Sequence, residues 1–212
     1  MPADEEISTA LVDLGSATLG ESGAHAMRAR ISAVWPGARL AAPALPVRCT
    51  PGDNLAVHVA ITHARAGDAL VVDVGNLREL GYWGEVLTTA AQSRGVVGLV
   101  IDGGVRDVQE IQALRFPVFS AMIALRGAAK RHVGSVGAPV HCGGVPVEFG
   151  DWIVGDTDGV VVVPGAAVAD VINAGRVRAR KEAEMFEALR QGRTTVELLG
   201  LDPSPIDIGG DA

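Results

Sequence analysis

Two acids and an arginine stand where two strand–glycine-turn–helix units open. Glu85 closes Gly81-Tyr-Trp-Gly-Glu85, and Arg106-Asp107 closes Ile101-Asp-Gly-Gly-Val-Arg-Asp107, with twenty residues between Glu85 and Arg106. Such mouths are where open α/β sheets bind ligands. Two carboxylates and a guanidinium are the minimum set for holding a divalent cation beside an anionic substrate, since hard cations take oxygen ligands and arginine offers a planar fork to carboxylates. Each acid also has a plain structural reading, because a carboxylate in a first helical turn complements the helix dipole. Arg106 argues for more: a cation near a helix N-terminus is unfavourable by that same dipole, so an anionic partner is expected there. The amides of Glu85, Val86 and Leu87, in the first turn of the predicted helix, lack intrahelical acceptors and suit an anion such as a carboxylate.

The elements that must position these groups are legible in the apolar pattern. Ala69-Leu-Val-Val-Asp73 and Val96–Ile101 are near-continuous apolar runs, as expected of strands buried on both faces of a parallel sheet. Val74–Leu80 reads as a loop, Gly84–Arg94 as a helix stopped by Gly95, Gly103-Gly104 as a turn, Val105–Leu114 as a helix and Phe116–Phe119 as a third strand. Two such units in succession imply a right-handed parallel crossover. Upstream, Ser8-Thr9 reads as the cap of a short helix, Ala44–Cys49 as a strand and Leu55–Arg65 as a helix ended by Gly67. Downstream, Val145–Val147, Trp152–Val154 and Val160–Val163 read as an antiparallel meander with Gly/Asp turns. Val168–Gln191 is a charged helix in which Arg178/Glu182 and Arg180/Glu184 are spaced to pair, and Thr195–Leu201 adds a helical turn. The Pro/Gly-rich tail 202–212 is expected to be mobile.

The bulk numbers bound the function. At 212 residues the chain fits one domain, and its 27 glycines, without a Gly-X-Y period, signal many tight turns. The net charge of −7 and the lack of a basic stripe argue against nucleic acid as a partner. Cys49 and Cys142 lack metal-type spacing and are expected to be reduced thiols. The acidic start Met1–Glu6 does not resemble a signal peptide, and no apolar run reaches the length of a membrane span, so a cytoplasmic protein without membrane contact is expected.

Other chemistries lack their residues. Asp156-Thr-Asp158-Gly159 begins like a calcium loop, but Val161 and Ala167 stand where that loop needs Gly and Glu, so a hairpin turn is expected. No Gly-x-Gly-x-x-Gly follows Ala69–Asp73 and no Gly-x-Ser-x-Gly occurs, which disfavours dinucleotide binding, a nucleotide-dependent methyltransferase and a hydrolase elbow. The five histidines read as structural. Lys130 and Lys181 are the only lysines, and neither is near the motif, so Schiff-base catalysis is not expected.

Gly84-Glu85 and then, with twenty residues between Glu85 and Arg106, Gly104-Val-Arg-Asp107 resembles the signature of the RraA-like class II pyruvate aldolases, which cleave 4-hydroxy-4-methyl-2-oxoglutarate and 4-carboxy-4-hydroxy-2-oxoadipate. Ala66–Asp73, Cys142-Gly-Gly-Val145 and Gly150–Pro164 resemble the same family, over nearly all of residues 8–201. The family also holds regulators of ribonuclease activity, and those that only regulate lack the aspartate after the arginine; here Asp107 is present. The resemblance implies a swivelling α/β/β-type single α/β domain over 1–212 with a parallel or mixed sheet. It implies a homotrimer or homohexamer in which the C-terminal helix, about 168–191, packs between subunits. It implies that Asp107 ligates Mg²⁺ or Mn²⁺, that Arg106 holds the keto oxygen and stabilises an enolate, and that Glu85 bonds the ion's water and helps move protons. The amides of Val86 and Leu87 would take the pyruvyl carboxylate. An acid of a neighbouring subunit's C-terminal helix, Glu182 or next Glu184, would complete the site. The implied reaction releases pyruvate from a 4-hydroxy-2-oxo acid and, through the same enolate, decarboxylates oxaloacetate. The rival reading is a non-catalytic regulator that docks on a ribonuclease.

Overall fold

The computed structural model describes residues 2–206 and Gly209. Its elements in chain order are α1 (Pro2–Gly20), β1 (His25–Ala26), β2 (Ser32–Ala33), β3 (Leu40–Arg48), α2 (Leu55–His63), β4 (Ala69–Asp73), β5 (Gly81–Trp83), α3 (Glu85–Ser93), β6 (Gly98–Val105), α4 (Val108–Ala113) and β7 (Val118–Ile123). The later chain adds β8 (Ser135–Val136), β9 (Val140–Cys142), β10 (Val145–Val147), β11 (Trp152–Gly155), β12 (Val160–Val163), α5 (Val168–Arg190) and α6 (Thr195–Leu199).

One mixed, curled sheet runs in the order β1-β12-β11-β3-β4-β6-β7-β2. Its pivot is β3. The first half pairs antiparallel with β11, from Leu40↔Gly155 to Pro43↔Trp152. The second half pairs parallel with β4, from Ala44↔Ala69 to Arg48↔Asp73. β4 and β6 are parallel, as are β6 and β7, with α3 and α4 as their crossovers.

The period-2 alternation of side chains explains why β4 is apolar throughout. Leu70 and Val72 face a core with α2, α3 and Ile111 of α4, whereas Ala69 and Val71 face a second core with Phe119, Ile153 and the β9–β10 hairpin. A third core, of Leu11, Trp152, Val161, Val171 and Ile172, lies under α1 and α5, which pack on each other.

Several expectations change. Ser8 does not cap a helix: α1 begins at Pro2, breaks at Gly15 (φ 75°, ψ 162°), and the Ser8 hydroxyl donates to the Ala41 carbonyl at 2.7 Å. Gly103-Gly104 does not turn the chain, because β6 runs through both. A Cβ at Gly104 would lie 2.5 Å from the Leu80 carbonyl oxygen, so this glycine lets a loop cross against the strand. β5 was hidden in its flanking glycines, and α4 starts at Val108. The meander is split: β11 and β12 form a hairpin through Asp156–Gly159, while β10 pairs with β9 in a separate two-stranded sheet. Arg178 and Glu182 pair as spaced, whereas no ion pair joins Arg180 to Glu184 among the described residues. Of the tail, residues 202–206 form no helix or strand, and 207, 208 and 210–212 lie outside the described residues. Among the described residues no helix is long and apolar enough to cross a membrane.

Candidate active site

β5 lies beside β6 in parallel, with Gly81 opposite Gly104 and Trp83 opposite Val105. That register sets the chain leaving β5, at Gly84-Glu85, beside the chain leaving β6, at Arg106-Asp107. The Arg106 amide donates to the Trp83 carbonyl at 2.9 Å, which fixes the two exits together.

Asp107 then takes a left-handed conformation, φ 58° and ψ 45°, as the residue preceding α4. Aspartate is among the few side chains that tolerate this region. The bend returns its carboxylate to the neighbouring helix, where Oδ2 accepts the Glu85 amide at 3.0 Å. One acid thus closes α3 from outside, in a place that Gly84 leaves free. A Cβ on Gly84 would stand 2.3 Å from that oxygen; with φ −169° the glycine is required for room and not for its backbone conformation.

Arg106 reaches along the same mouth. Its Nε is 3.8 Å from Asp107 Oδ2 and its Nη1 donates to the Leu125 carbonyl at 3.4 Å. The segment after β7 holds it there, since the Gly81 amide donates to the Arg126 carbonyl at 2.7 Å. The Arg106 and Asp107 side chains are 45% and 37% exposed, so both present polar atoms to solvent. The Val86 and Leu87 amides follow in the first turn of α3, where helix geometry provides no acceptor.

The structure therefore brings together Glu85, Val86, Leu87, Arg106 and Asp107. It does not bring Glu182 to them within one chain. Glu182 Oε1 takes Arg178 Nε at 2.8 Å on α5, and Arg178 also pairs with Glu21.

Two further observations define the mouth. Large apolar side chains around it are bare: Val86 is 79% exposed, Ile123 54% and Leu125 82%. A cleft of about 840 Å³ elsewhere, lined by Ser8, Arg39, Arg65, Asp68 and Trp152, opens at the start of β4 and so at the other end of the parallel strands. Sheet geometry places ligand chemistry at the carboxyl ends, and the acid–arginine set is there.

Among the described residues no group of three or more His, Cys, Asp or Glu could hold a metal. A tetrahedral zinc site is thus not offered. Asp107, with one oxygen committed to an amide and its carboxylate in reach of solvent, fits instead a hard cation that keeps most of its water. The cysteines do not compete as nucleophiles. Both are buried, and burial, followed by the charge of Asp53, pushes the Cys49 thiol up to about 12.

Sequence reasoning missed the Leu125–Gly127 segment that holds Arg106, and it missed Asp102. This carboxylate is buried and carries two guanidiniums, those of Arg30 and Arg78. Asp102 stands inside the quoted motif, and a charged residue in an otherwise apolar run was the signal available.

The RraA-like family, described as Aldolase/RraA, matches residues 8–162. A protein of Halalkalibacterium halodurans named "Putative 4-hydroxy-4-methyl-2-oxoglutarate aldolase" is 36% identical over 142 residues, covering 67% of this chain and 66% of that protein. The match therefore spans just under two thirds of that relative's length. The crystal structure of an uncharacterized protein from Pseudomonas syringae pv. tomato DC3000 is similar with a TM-score of 0.80 and 27% identity, over 90% of this chain and 91% of that one. The RNA-processing inhibitor RraA from Thermus thermophilis is similar with a TM-score of 0.63 and 27% identity, over 74% of this chain and 92% of that one.

Proposed function

The chain belongs to the RraA-like (Aldolase/RraA) family, and on that premise we propose that it is a divalent-metal-dependent aldolase. It cleaves a 4-hydroxy-2-oxo acid of the 4-hydroxy-4-methyl-2-oxoglutarate or 4-carboxy-4-hydroxy-2-oxoadipate type to pyruvate and a second oxo acid, and it also decarboxylates oxaloacetate. The observation that carries this reading is the single carboxylate of Asp107, turned back onto the first turn of α3 beside the Arg106 guanidinium.

Asp107 would hold Mg²⁺ or Mn²⁺. Such a cation supplies Lewis acidity at the substrate's 2-oxo oxygen. The Val86 and Leu87 amides take the C1 carboxylate, using the unpaired donors and the positive end of α3. Arg106 donates to the 2-oxo oxygen, on which negative charge grows as the C3–C4 bond breaks. A preorganised donor is worth most there. In the cleavage direction the C4 hydroxyl loses its proton, the C3–C4 pair moves toward the C2 oxygen, and C3 of the resulting enolate is protonated to give pyruvate. Glu85, at the same turn, serves these proton movements. Loss of CO₂ from oxaloacetate gives the same enolate.

The working unit is a homotrimer or homohexamer. The bare Val86, Ile123 and Leu125 around the mouth, and the exposed Val177 and Phe186 on α5, support contact with another copy. Glu182, or next Glu184, reaches a neighbour's mouth in that assembly.

The likeness to an RNA-processing inhibitor favours a second reading, a non-catalytic regulator of ribonuclease activity. A coupled assay separates the two. With Mg²⁺ and 4-hydroxy-4-methyl-2-oxoglutarate or oxaloacetate, an aldolase releases pyruvate, which lactate dehydrogenase reports. A regulator releases none above the metal-only blank.

A further inference from the structure

We infer that Arg78, clamped by the buried Asp102, is a positioning residue that fixes the Arg106–Asp107 mouth. The geometry stands by itself; its consequence for turnover rests on the aldolase reading.

Asp102 lies on β6, four residues before Arg106, and is 3% exposed. Arg30 donates to it through Nε (2.9 Å to Oδ1) and Nη2 (2.5 Å to Oδ2). Arg78 donates through Nε (2.9 Å to Oδ1) and, more weakly, Nη2 (3.5 Å to Oδ2). One guanidinium neutralises a buried carboxylate. The second brings a net positive charge to the cluster, so neutralisation alone does not account for it.

The backbone of Arg78 shows what the second one does. Its carbonyl accepts the amides of Leu80 and of Gly104, each at 2.9 Å. Gly104 is the β6 residue that pairs with Gly81, and a Cβ there would stand 3.2 Å from that same carbonyl oxygen. The loop Gly75–Glu79 has little else to hold it. Asn76, Leu77 and Glu79 are exposed; besides Arg78 the loop is tied by the Gly75 amide, which donates to Asp73 Oδ1 at 2.8 Å at its start, and by the Tyr82 hydroxyl, which donates to the Leu77 carbonyl. Beyond Leu80 the chain becomes the wall of the mouth: Gly81 donates to Arg126, and Trp83 accepts from Arg106. The path Asp102–Arg78–Gly104 and Leu80–Gly81 to Trp83–Arg106 is therefore continuous in bonds.

Arg30 leads elsewhere. Its neighbours bind other elements, Met27 donating to the Val160 carbonyl at the start of β12 and Arg28 to the Gly143 carbonyl in the β9–β10 turn. Removing Arg30 weakens the cluster and leaves the path from Arg78 to Arg106 in place.

The test compares Arg78→Met with Arg30→Met in the full chain, well below either melting temperature. Two readouts are taken: Mg²⁺-dependent oxaloacetate decarboxylation, and amide hydrogen exchange across 78–87 and 104–108. A displacement of about 1 Å can cost on the order of 10²-fold in rate. Arg78→Met is expected to lower kcat at least tenfold with KM changed less than threefold, and Arg78→Lys to recover part of that loss. Arg30→Met is expected to keep kcat within twofold, even where its melting temperature falls as far. Exchange in Arg78→Met should quicken in those two segments and not in β11 or β12. Equal kcat losses in the two methionine variants, or exchange that quickens uniformly over the sheet, would overturn the inference. If the wild-type protein releases no pyruvate, the aldolase reading fails, and the exchange comparison then decides the positioning claim by itself.

Discussion

Asp107 Oδ2 accepts the Glu85 amide at 3.0 Å across two consecutive strand–helix units. A residue from the end of β6 thereby closes the helix that follows β5. The first turn of α3 is shaped by a side chain twenty-two positions downstream. The αL backbone of Asp107 and the missing side chain of Gly84 are both conditions of that one bond.

Gly84→Ala is accordingly expected to be inactive or nearly so. The new Cβ overlaps the Asp107 carboxylate, and either the helix start or the acid must move. Pyruvate release should fall at least tenfold. The parallel sheet does not depend on this contact, so far-ultraviolet circular dichroism should be unchanged.

Asp107→Asn separates the two duties of that residue. Asparagine tolerates αL and its amide oxygen can still accept the Glu85 hydrogen, but it brings no charge to a cation. The variant should melt within a few degrees of the wild-type protein yet respond to Mg²⁺ with no gain in pyruvate. Asp107→Ala, strained at φ 58° and without the acceptor, should melt lower than Asp107→Asn.

Much of this mouth was legible beforehand because it depends on local chemistry: an acid in a first helical turn, an arginine where the dipole disfavours one, and glycines between apolar runs. The β4 and β6 strands were legible because burial on both faces leaves the pattern almost wholly apolar, with Asp73 at the end of β4 and Asp102 within β6 as the exceptions. What was not legible depends on register between distant segments. Nothing local distinguishes a glycine that turns the chain from Gly104, which makes room for Leu80. Nor does anything local pair β10 with β9, or tell that β3 changes partners between Pro43 and Ala44. Glu182 is the same case on a larger scale, since a single chain shows only its bond to Arg178.

Stability should respond to acid in two stages. Burial pushes the His58 imidazole down, with Lys130 adding to it, so this group resists protonation in the folded state. Its contribution is lost as pH falls below the unfolded value of about 6.5. For Asp53, Asp102 and Asp156, burial would raise the carboxyl. It is outweighed by amide donors at Asp53, by Arg30 and Arg78 at Asp102, and by the Ser16 hydroxyl and nearby amides at Asp156, so all three sit below the ordinary range. Their contribution is complete above about pH 3.9 and lost as pH falls through the folded values. Asp68, raised by burial, opposes this in part. Melting temperature should decline gently from about pH 6.5 and steeply below about pH 4. A maximum at pH 4 would refute the assignment of these three acids.

Glu182→Ala should lower activity while leaving the assembly intact by light scattering. Mixed with an inactive Asp107→Ala protein under conditions where tagged chains exchange, it should regain activity, because some interfaces then pair an intact Asp107 with an intact Glu182. Confirmed exchange without recovery would mean that Glu182 serves no neighbouring mouth, and a monomer at working concentration would remove the shared site altogether.

The most direct measurement is pyruvate release from oxaloacetate by protein stripped with EDTA, titrated with Mg²⁺ or Mn²⁺, beside Arg106→Lys under the same conditions. The stripped wild-type protein should be silent and either ion should restore it. Arg106→Lys, which keeps the charge but loses the planar fork, should stay roughly 10²–10³-fold lower in kcat at saturating metal. Undiminished release after thorough stripping, or a lysine variant with wild-type kcat, would contradict a metal-assisted enolate held by Arg106 and Asp107.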